Sequence, residues 1–307
     1  MKCSKCTKNS PFIKRPFQGT AQCSKCFIES FEEEVNDFVK KTNMFDKGDR
    51  VIIGVSGGKD STTLLHVMNV LNQKYQYGIE IIPVCIDEGI SPYRDYSLKI
   101  LFEFLNYEKL KLNIYSFKDL YGWSLDEIAN KLGKKGSSMC TYCGIFRRKA
   151  LDYAALKFKA NKIATGHNAD DTAETLLMNL MRGDMKRIGN STKPIIGEKN
   201  EILKVKPLLY HYEKEIVMYC IQNKLKYCSS ECTYAENSFR AEVRDFVKSL
   251  LSDNPSSIIS SIHSGNFIKM NEKKEEKIKH ECIICHMITS HEKCKACLLV
   301  ESLNKLN

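Results

Sequence analysis

The sequence predicts an α/β fold, a doubly wound parallel sheet with a small cysteine-rich module at each end. Three observations predict it. Short β-branched runs alternate with stretches of helical periodicity through the middle of the chain, a glycine-rich turn joins the first such run to the first helix, and twelve of the fourteen cysteines stand in pairs, most of them near the ends. A chain of 307 residues with 43% hydrophobic composition is long enough for one sizeable core plus appendages.

The elements follow in chain order. Cys3/Cys6 and Cys23/Cys26 form a Cys-x-x-Cys…Cys-x-x-Cys quartet with 16 residues between the pairs, and Cys282/Cys285 and Cys294/Cys297 form another with eight. Four thiolates close the tetrahedral shell of a structural Zn²⁺, and the metal then folds a segment too small to bury a core of its own. His286 and His291 are superfluous beside four cysteines. A redox dithiol or a rubredoxin-like iron site is the rival reading of either quartet. The modules are expected over 1–30 and 271–307, around a catalytic unit over 31–270.

Within that unit, 50–56 reads as a buried strand and 60–71 as a helix with Leu64, Leu65, Val67, Met68 and Leu71 at helical spacing. Further strands are expected at 79–86, 112–117 and 161–165, and helices at 93–105, 125–132, 147–158 and 170–181. Alternation of this kind calls for right-handed crossovers and a parallel sheet. The charged stretch 271–280 reads as a solvated linker into the last module. Cys85 and Cys220, each among apolar neighbours, read as small buried hydrophobes.

The turn Gly54-Val55-Ser56-Gly57-Gly58-Lys59-Asp60-Ser61 lies between the first strand and the first helix. Glycines let the backbone approach an anion, and a helix N-terminus offers unpaired N–H groups, so this is a phosphate cradle. It is not a Walker A loop, because that pattern needs Gly at 53 and Ser or Thr at 60, where Ile53 and Asp60 stand. The ligand crevice of a doubly wound sheet lies beyond the carboxyl ends of its strands, where this loop, Asp87, and Gly166-His167-Asn168-Ala169-Asp170-Asp171 converge. Either aspartate of the last motif can alternatively cap the following helix.

Net charge is +10, from 47 Lys and Arg against 37 Asp and Glu, which suits a polyanionic partner such as nucleic acid or an acidic membrane. The longest apolar run, Val51 to Val55, is far short of the ~20 residues of a membrane helix, and the first residues carry no apolar signal region. A cytoplasmic protein is expected, with its cysteines free for metals.

Ser56-Gly57-Gly58-Lys59-Asp60-Ser61 resembles the PP-loop of the N-type ATP pyrophosphatase superfamily, whose members grip the pyrophosphate of ATP and attach AMP to a substrate. Together with the terminal quartets, Ile86-Asp87-Glu88-Gly89-Ile90, Cys140-Thr141-Tyr142-Cys143-Gly144 before a basic stretch, and Gly166 to Asp171, it resembles the tRNA 2-thiolation family over nearly the whole chain. That family includes the archaeal and eukaryotic cytoplasmic wobble-uridine thiolases and the T-loop uridine thiolases. The resemblance implies a [4Fe–4S] cluster on Cys140, Cys143 and a third cysteine. In the family that ligand precedes a Pro-Tyr-Ala-like stretch, which Glu231-Cys232-Thr233-Tyr234-Ala235 matches with Thr233 in place of proline; Cys228 is the second candidate. Three thiolates leave one iron open to sulfide. A third zinc, or a Cys-x-x-Cys persulfide relay, is the alternative that spacing leaves open.

By the same resemblance, Gly166 and His167 line the nucleotide pocket, Asp170 or Asp171 helps hold Mg²⁺, and Lys59 neutralises phosphate charge. Arg147 occupies a basic position near the cluster, often lysine in the family; an arginine clamps phosphate but does not give up its proton. Arg148 and Lys149 read equally as a solvated helix face. The implied reaction is adenylation of the C2 oxygen of a tRNA uridine and displacement of AMP by sulfur. The donor is free sulfide or a ubiquitin-like thiocarboxylate protein, the enzyme a homodimer, and the favoured target the wobble uridine of tRNAs for Lys, Glu and Gln. A T-loop uridine, 2-thiocytidine formation, and a zinc-ribbon RNA-binding protein without catalysis are the competing readings.

Overall fold

The structure, a computed structural model, describes residues 2–133, 139–198, 201–230, 232–234, 238–268 and 280–306. The expected linker at 271–280 falls almost wholly outside them, as do Glu231 and Ala235 of the third-cysteine motif.

The chain opens with a hairpin of β1 (Ile13–Lys14) and β2 (Ala21–Gln22), followed by α1 (Ser24–Lys41). The buried side chains gathered here are the module's own cysteines, Cys3, Cys23 and Cys26, with Cys6 beside them. Four thiols gathered in this way are a set that could hold a metal ion. Cys23 is the N-cap of α1 and Cys26 sits in its first turn, so the helix runs unbroken from the cysteine quartet past residue 30 into the main core, where Phe27, Phe31, Val35 and Val39 are buried. Arg15 fixes the hairpin to the body. Its fully buried guanidinium pairs with Glu215 at 2.5 Å and with both oxygens of Glu34 at 3.0 and 2.6 Å. Burying a cation is tolerable only with such satisfied pairing.

Next come β3 (Arg50–Gly54), α2 (Lys59–Tyr75), β4 (Glu80–Asp87), α3 (Tyr93–Glu108) and β5 (Asn113–Ser116). After α4 (Phe117–Tyr121) and α5 (Leu125–Leu132), α6 (Met139–Lys157) leads to β6 (Lys162–Ala164), α7 (Ala169–Met181) and α8 (Met185–Ser191). Then β7 (Ile195–Ile196), β8 (Leu203–Val205), α9 (Glu213–Gln222), α10 (Phe239–Asp253) and α11 (Ser257–Phe267) complete the central unit. The last module holds β9 (His280–Glu281), β10 (Ile288–Thr289) and α12 (Lys295–Lys305).

Six strands form the sheet in the order β5-β4-β3-β6-β8-β7, parallel except for the β7–β8 pair. The alternation of strand side chains divides the core. Val51, Ile53 and Cys85 face α1, α2 and α9 on one side, while Ile52, Val84, Ile86 and Ile163 face α5, α6 and α12 on the other. Cys85 and Cys220 are fully buried in the first of these layers, as small hydrophobes. Among the described residues no helix is long and apolar enough to cross a membrane.

Two expectations need correction. The helix expected at 147–158 begins eight residues earlier, at Met139, so Cys140 and Cys143 stand on its first turns and not in a loop before it. The segments after 181, left unassigned by periodicity, supply two short strands of the sheet and four helices of the central unit. The two residues of β7 and the three of β8 carry too little alternation to mark a strand by themselves.

Candidate active site

The loop after β3 enters α2 with no side-chain cap on its N-terminus, leaving backbone N–H groups for an anion. Ser61 Oγ accepts from Ser56 N at 3.1 Å and lies 3.0 Å from Gly58 O, closing the loop on itself. Gly57 has φ +88°, and a Cβ there would meet Ser97 O at 2.9 Å. Arg94 Nη1 donates to Ser56 O at 3.2 Å from outside.

Ser56, Gly58, Asp60 and Ser61 line one end of a cleft of about 270 Å³ whose walls include Thr165, Gly166, His167 and Asp171 after β6 and Arg147 from α6. A Cβ on Gly166 would lie 2.8 Å from Asp60 C and 3.0 Å from Ser61 N, so only glycine lets the two loops meet. Gly166→Ala is expected to push the start of α2 outward at a cost of about 1–3 kcal/mol. ATP affinity measured by calorimetry should fall at least about tenfold with it, since a factor of ten is 1.4 kcal/mol. Unchanged affinity would contradict the close approach.

The acidic groups divide between pocket and scaffold. Asp60 accepts from Asn168 Nδ2 at 2.9 Å. Burial pushes its carboxyl above the ordinary value despite Lys59 beside it, and the Asp171 charge adds to the push. Asp171 completes a capping box with Asn168, the N-cap of α7, and its Oδ1 receives Arg240 Nη2 at 2.9 Å. It is therefore both part of a helix cap and part of the cleft wall. Asp170 faces the other way and accepts from Glu213 N at 2.7 Å, tying α7 to α9. Asp87 likewise leaves the cleft, accepting from Gly89 N at 2.9 Å, while its neighbour Glu88 lines the wall. Lys59 lies between Glu213 at 2.8 Å and Asp60 at 3.2 Å; burial alone would lower its pKa, but the two carboxylates outweigh it and keep the ammonium charged.

Burial pushes the Asp170 carboxyl up to about 7 from 3.8. A carboxyl raised on folding binds its proton more tightly in the native state, so stability is fully present at low pH and is lost as pH climbs toward 7. Asp170→Asn keeps an acceptor for Glu213 N and removes the charge. It is expected to raise stability at pH 8 by on the order of 4 kcal/mol, with the gain vanishing near pH 4. Denaturant melts at the two pH values check this.

The cysteine groups differ in geometry. Four thiolates about 2.3 Å from one zinc sit about 3.8 Å apart. The N-terminal quartet has Cys6 Sγ 3.9 Å from Cys23 Sγ, and the C-terminal one has Cys285 Sγ 3.7 Å from Cys294 Sγ. In each quartet all four sulfurs lie within 4.8 Å of one another. Cys140, Cys143 and Cys232 do not form such a group. Cys140 and Cys143 share one face of α6, and Cys232 is near enough to interact electrostatically with both. Cys140 Sγ is 3.8 Å from Tyr234 O. A donor set of three separated thiolates suits a cubane with its ligands on different irons better than a single tetrahedral ion. Cys228 is buried against the nucleotide loop, its N–H donating to Gly57 O at 2.8 Å. Arg147 joins the two regions, its Nη2 lying 3.3 Å from Cys143 Sγ while the side chain lines the cleft.

Sequence reasoning missed Glu88, Thr165 and Arg240 as cleft residues. Glu88 stood inside a quoted motif; Arg240 comes from α10, 69 residues after the aspartate it pairs with, and no local pattern marks it.

The PP-loop domain family matches residues 28–251. The chain is 46% identical over 305 residues to cytoplasmic tRNA 2-thiolation protein 1 of Xenopus laevis, covering 99% of this chain and 89% of that one. It is 46% identical over 302 residues to the protein of the same name from Dictyostelium discoideum, covering 98% and 83%. A solved structure described as U34-tRNA thiolase NcsA from Methanococcus maripaludis with its [4Fe–4S] cluster superposes with a TM-score of 0.82 at 30% identity, covering 99% of this chain and 96% of that one. The chain belongs to the cytoplasmic tRNA 2-thiolation protein 1 family of PP-loop proteins.

Proposed function

We propose that this protein is an ATP-dependent tRNA sulfurtransferase that replaces the C2 oxygen of the wobble uridine, position 34, with sulfur. The observation that carries the reading is the shared cleft: the phosphate loop, Asp171 and Arg147 line one cavity, and Arg147 touches Cys143 at its edge. The names of the relatives support the reaction, and that of the archaeal thiolase supports the position as well.

In this reading the uncapped start of α2 and the Ser56 and Ser61 hydroxyls grip the pyrophosphate of ATP, and Asp60 with Asp171 would hold Mg²⁺. The uridine O2 attacks the α-phosphorus, pyrophosphate leaves, and AMP becomes the leaving group at C2. Arg147 faces that phosphate as a permanent cation and stabilises AMP without giving up a proton. A [4Fe–4S] cluster on Cys140, Cys143 and Cys232 would supply a coordination position open to a sulfur donor. Zinc in the terminal quartets has a structural role. At the C-terminus Cys282 and Cys294 are buried in the same apolar layer as Phe146 of α6, so that metal also braces the helix carrying Cys140 and Cys143. The remaining parts of the reading are a cytoplasmic homodimer, metal-folded ends over 1–30 and 271–307 around a catalytic 31–270, and sulfide or a thiocarboxylate protein as donor.

The test is anaerobic incubation of the iron-loaded enzyme with unmodified tRNA, ATP and sulfide. One AMP and one pyrophosphate are expected per 2-thiouridine formed, all of it at position 34. Thiolation without ATP, or with ADP as product, would sink the reading.

A further inference from the structure

Glu88 has no role in the reaction as described above, yet it is a carboxylate 3% exposed in the wall of the cleft. A buried charge of this kind persists only if it is paired. Its Oε1 receives Arg147 Nη2 at 2.7 Å, and its Oε2 lies 3.6 Å from Arg94 Nε. Arg94 is itself fixed: Nη1 donates to Ser56 O at 3.2 Å and Nη2 to Ile86 O at 2.6 Å. That same Arg147 Nη2 also lies 3.3 Å from Cys143 Sγ, so one nitrogen bridges the carboxylate and the thiol. A continuous chain thus runs from the nucleotide loop through Arg94, Glu88 and Arg147 to a thiol of the sulfur site.

The two arginines differ in freedom. Arg94 is buried, whereas the side chain of Arg147 is 48% exposed. A long side chain in that position has many rotamers of similar energy, and Glu88 is its one carboxylate partner among the described residues. Arg94 stands beside the carboxylate as a buried cation at ion-pair distance, beyond hydrogen-bonding range, and the 2.7 Å bond from Arg147 to that carboxylate selects the rotamer that places the guanidinium at the sulfur. Partners of this kind, one step removed from a metal ligand, orient the groups that touch it.

We propose that Glu88 is a positioning residue that holds the Arg147 guanidinium between Cys143 Sγ and the phosphate end of the cleft, coupling sulfur delivery to the activated nucleotide. The proposal rests on Cys143 belonging to the sulfur site.

The experiment uses the iron-loaded full chain with Glu88→Gln, Arg147→Gln and the double variant. Glu88→Gln is expected to lower kcat for 2-thiouridine formation about 10–100-fold with iron content unchanged. The Fe–S(Cys) stretching band in resonance Raman spectra should move in the same direction in both single variants, because each weakens the hydrogen bond to the thiolate. The double variant should be no slower than Arg147→Gln alone, since Glu88 acts through that residue. Wild-type kcat in Glu88→Gln, an unmoved band, or a double loss equal to the product of the single losses would each overturn the proposal. Where Glu88→Gln does not fold, Arg147→Lys carries the test. It leaves Glu88 paired but lacks the planar fork, and a wild-type band with wild-type kcat would overturn the proposal just as well. A Cys143→Ser variant that still thiolates at full rate would instead remove the sulfur-site reading, whatever Glu88 does.

Discussion

Cys232→Ala is expected to strip iron from the protein and lower 2-thiouridine formation by more than about 100-fold, while Cys228→Ala leaves both near wild type. The spacing of the two cysteines offered no physical ground for choosing between them; their surroundings do. Cys232 is half-buried in the apolar layer that includes Cys143, and it interacts electrostatically with both Cys140 and Cys143. Its segment is pinned by Tyr234, whose hydroxyl donates to Asp126 Oδ1 at 2.7 Å and whose carbonyl lies 3.8 Å from Cys140 Sγ. Cys228 makes its clearest bond through its backbone N–H to Gly57 O, and alanine keeps that bond. A cubane left with two protein thiolates loses iron readily. Anaerobic iron counts and nucleoside analysis of the two variants decide the matter, and a reversed result would move the third ligand to Cys228.

What the sequence made legible was whatever is local. The strand–glycine–helix junction at Gly54 to Ser61 and the two cysteine quartets are contiguous patterns, and each folds as its own chemistry dictates. Phase was not legible. Asp87 and Glu88 are adjacent at a strand end and Asp170 and Asp171 adjacent at a helix start, so one of each pair faces the cleft and the other the scaffold. Sequence singles out Asp87 of the first pair, the one that leaves the cleft, and both members of the second without saying which faces it. The start of α6 was hidden by Gly144, which reads as a loop residue but sits within the helix, where a Cβ would lie 3.3 Å from an Arg148 Nη atom. Contacts made across the fold leave no local trace: Lys59 meets Glu213, and Asp171 meets Arg240.

That last contact frames the second large effect, at Asp171. Asp171 accepts from Asn168 N on one oxygen and from Arg240 on the other, so asparagine keeps an acceptor for one of the two; the bond from the residue 171 N–H to Asn168 Oδ1 is untouched, and the cap of α7 should survive at a cost of about 1 kcal/mol. What disappears is the negative charge facing Asp60, and with it half of the carboxylate pair assigned to Mg²⁺. Removing one electrostatic group from a preorganised site typically costs about 10²–10³ in rate, and a loss of that size in AMP and pyrophosphate formation is expected for Asp171→Asn. Iron content and the iron–sulfur absorbance should be unchanged, because Asp171 faces the nucleotide end of the cleft and contacts none of the three cysteines. Burial already holds the Asp60 carboxyl above its ordinary value, and the Asp171 charge pushes it the same way. The variant should therefore also let Asp60 ionise at lower pH, moving the acidic limb of any residual activity downward. Pyrophosphate release measured against pH in the wild type and Asp171→Asn tests both parts at once. A variant that activates uridine at the wild-type rate would remove Asp171 from the nucleotide site and leave it a helix cap alone.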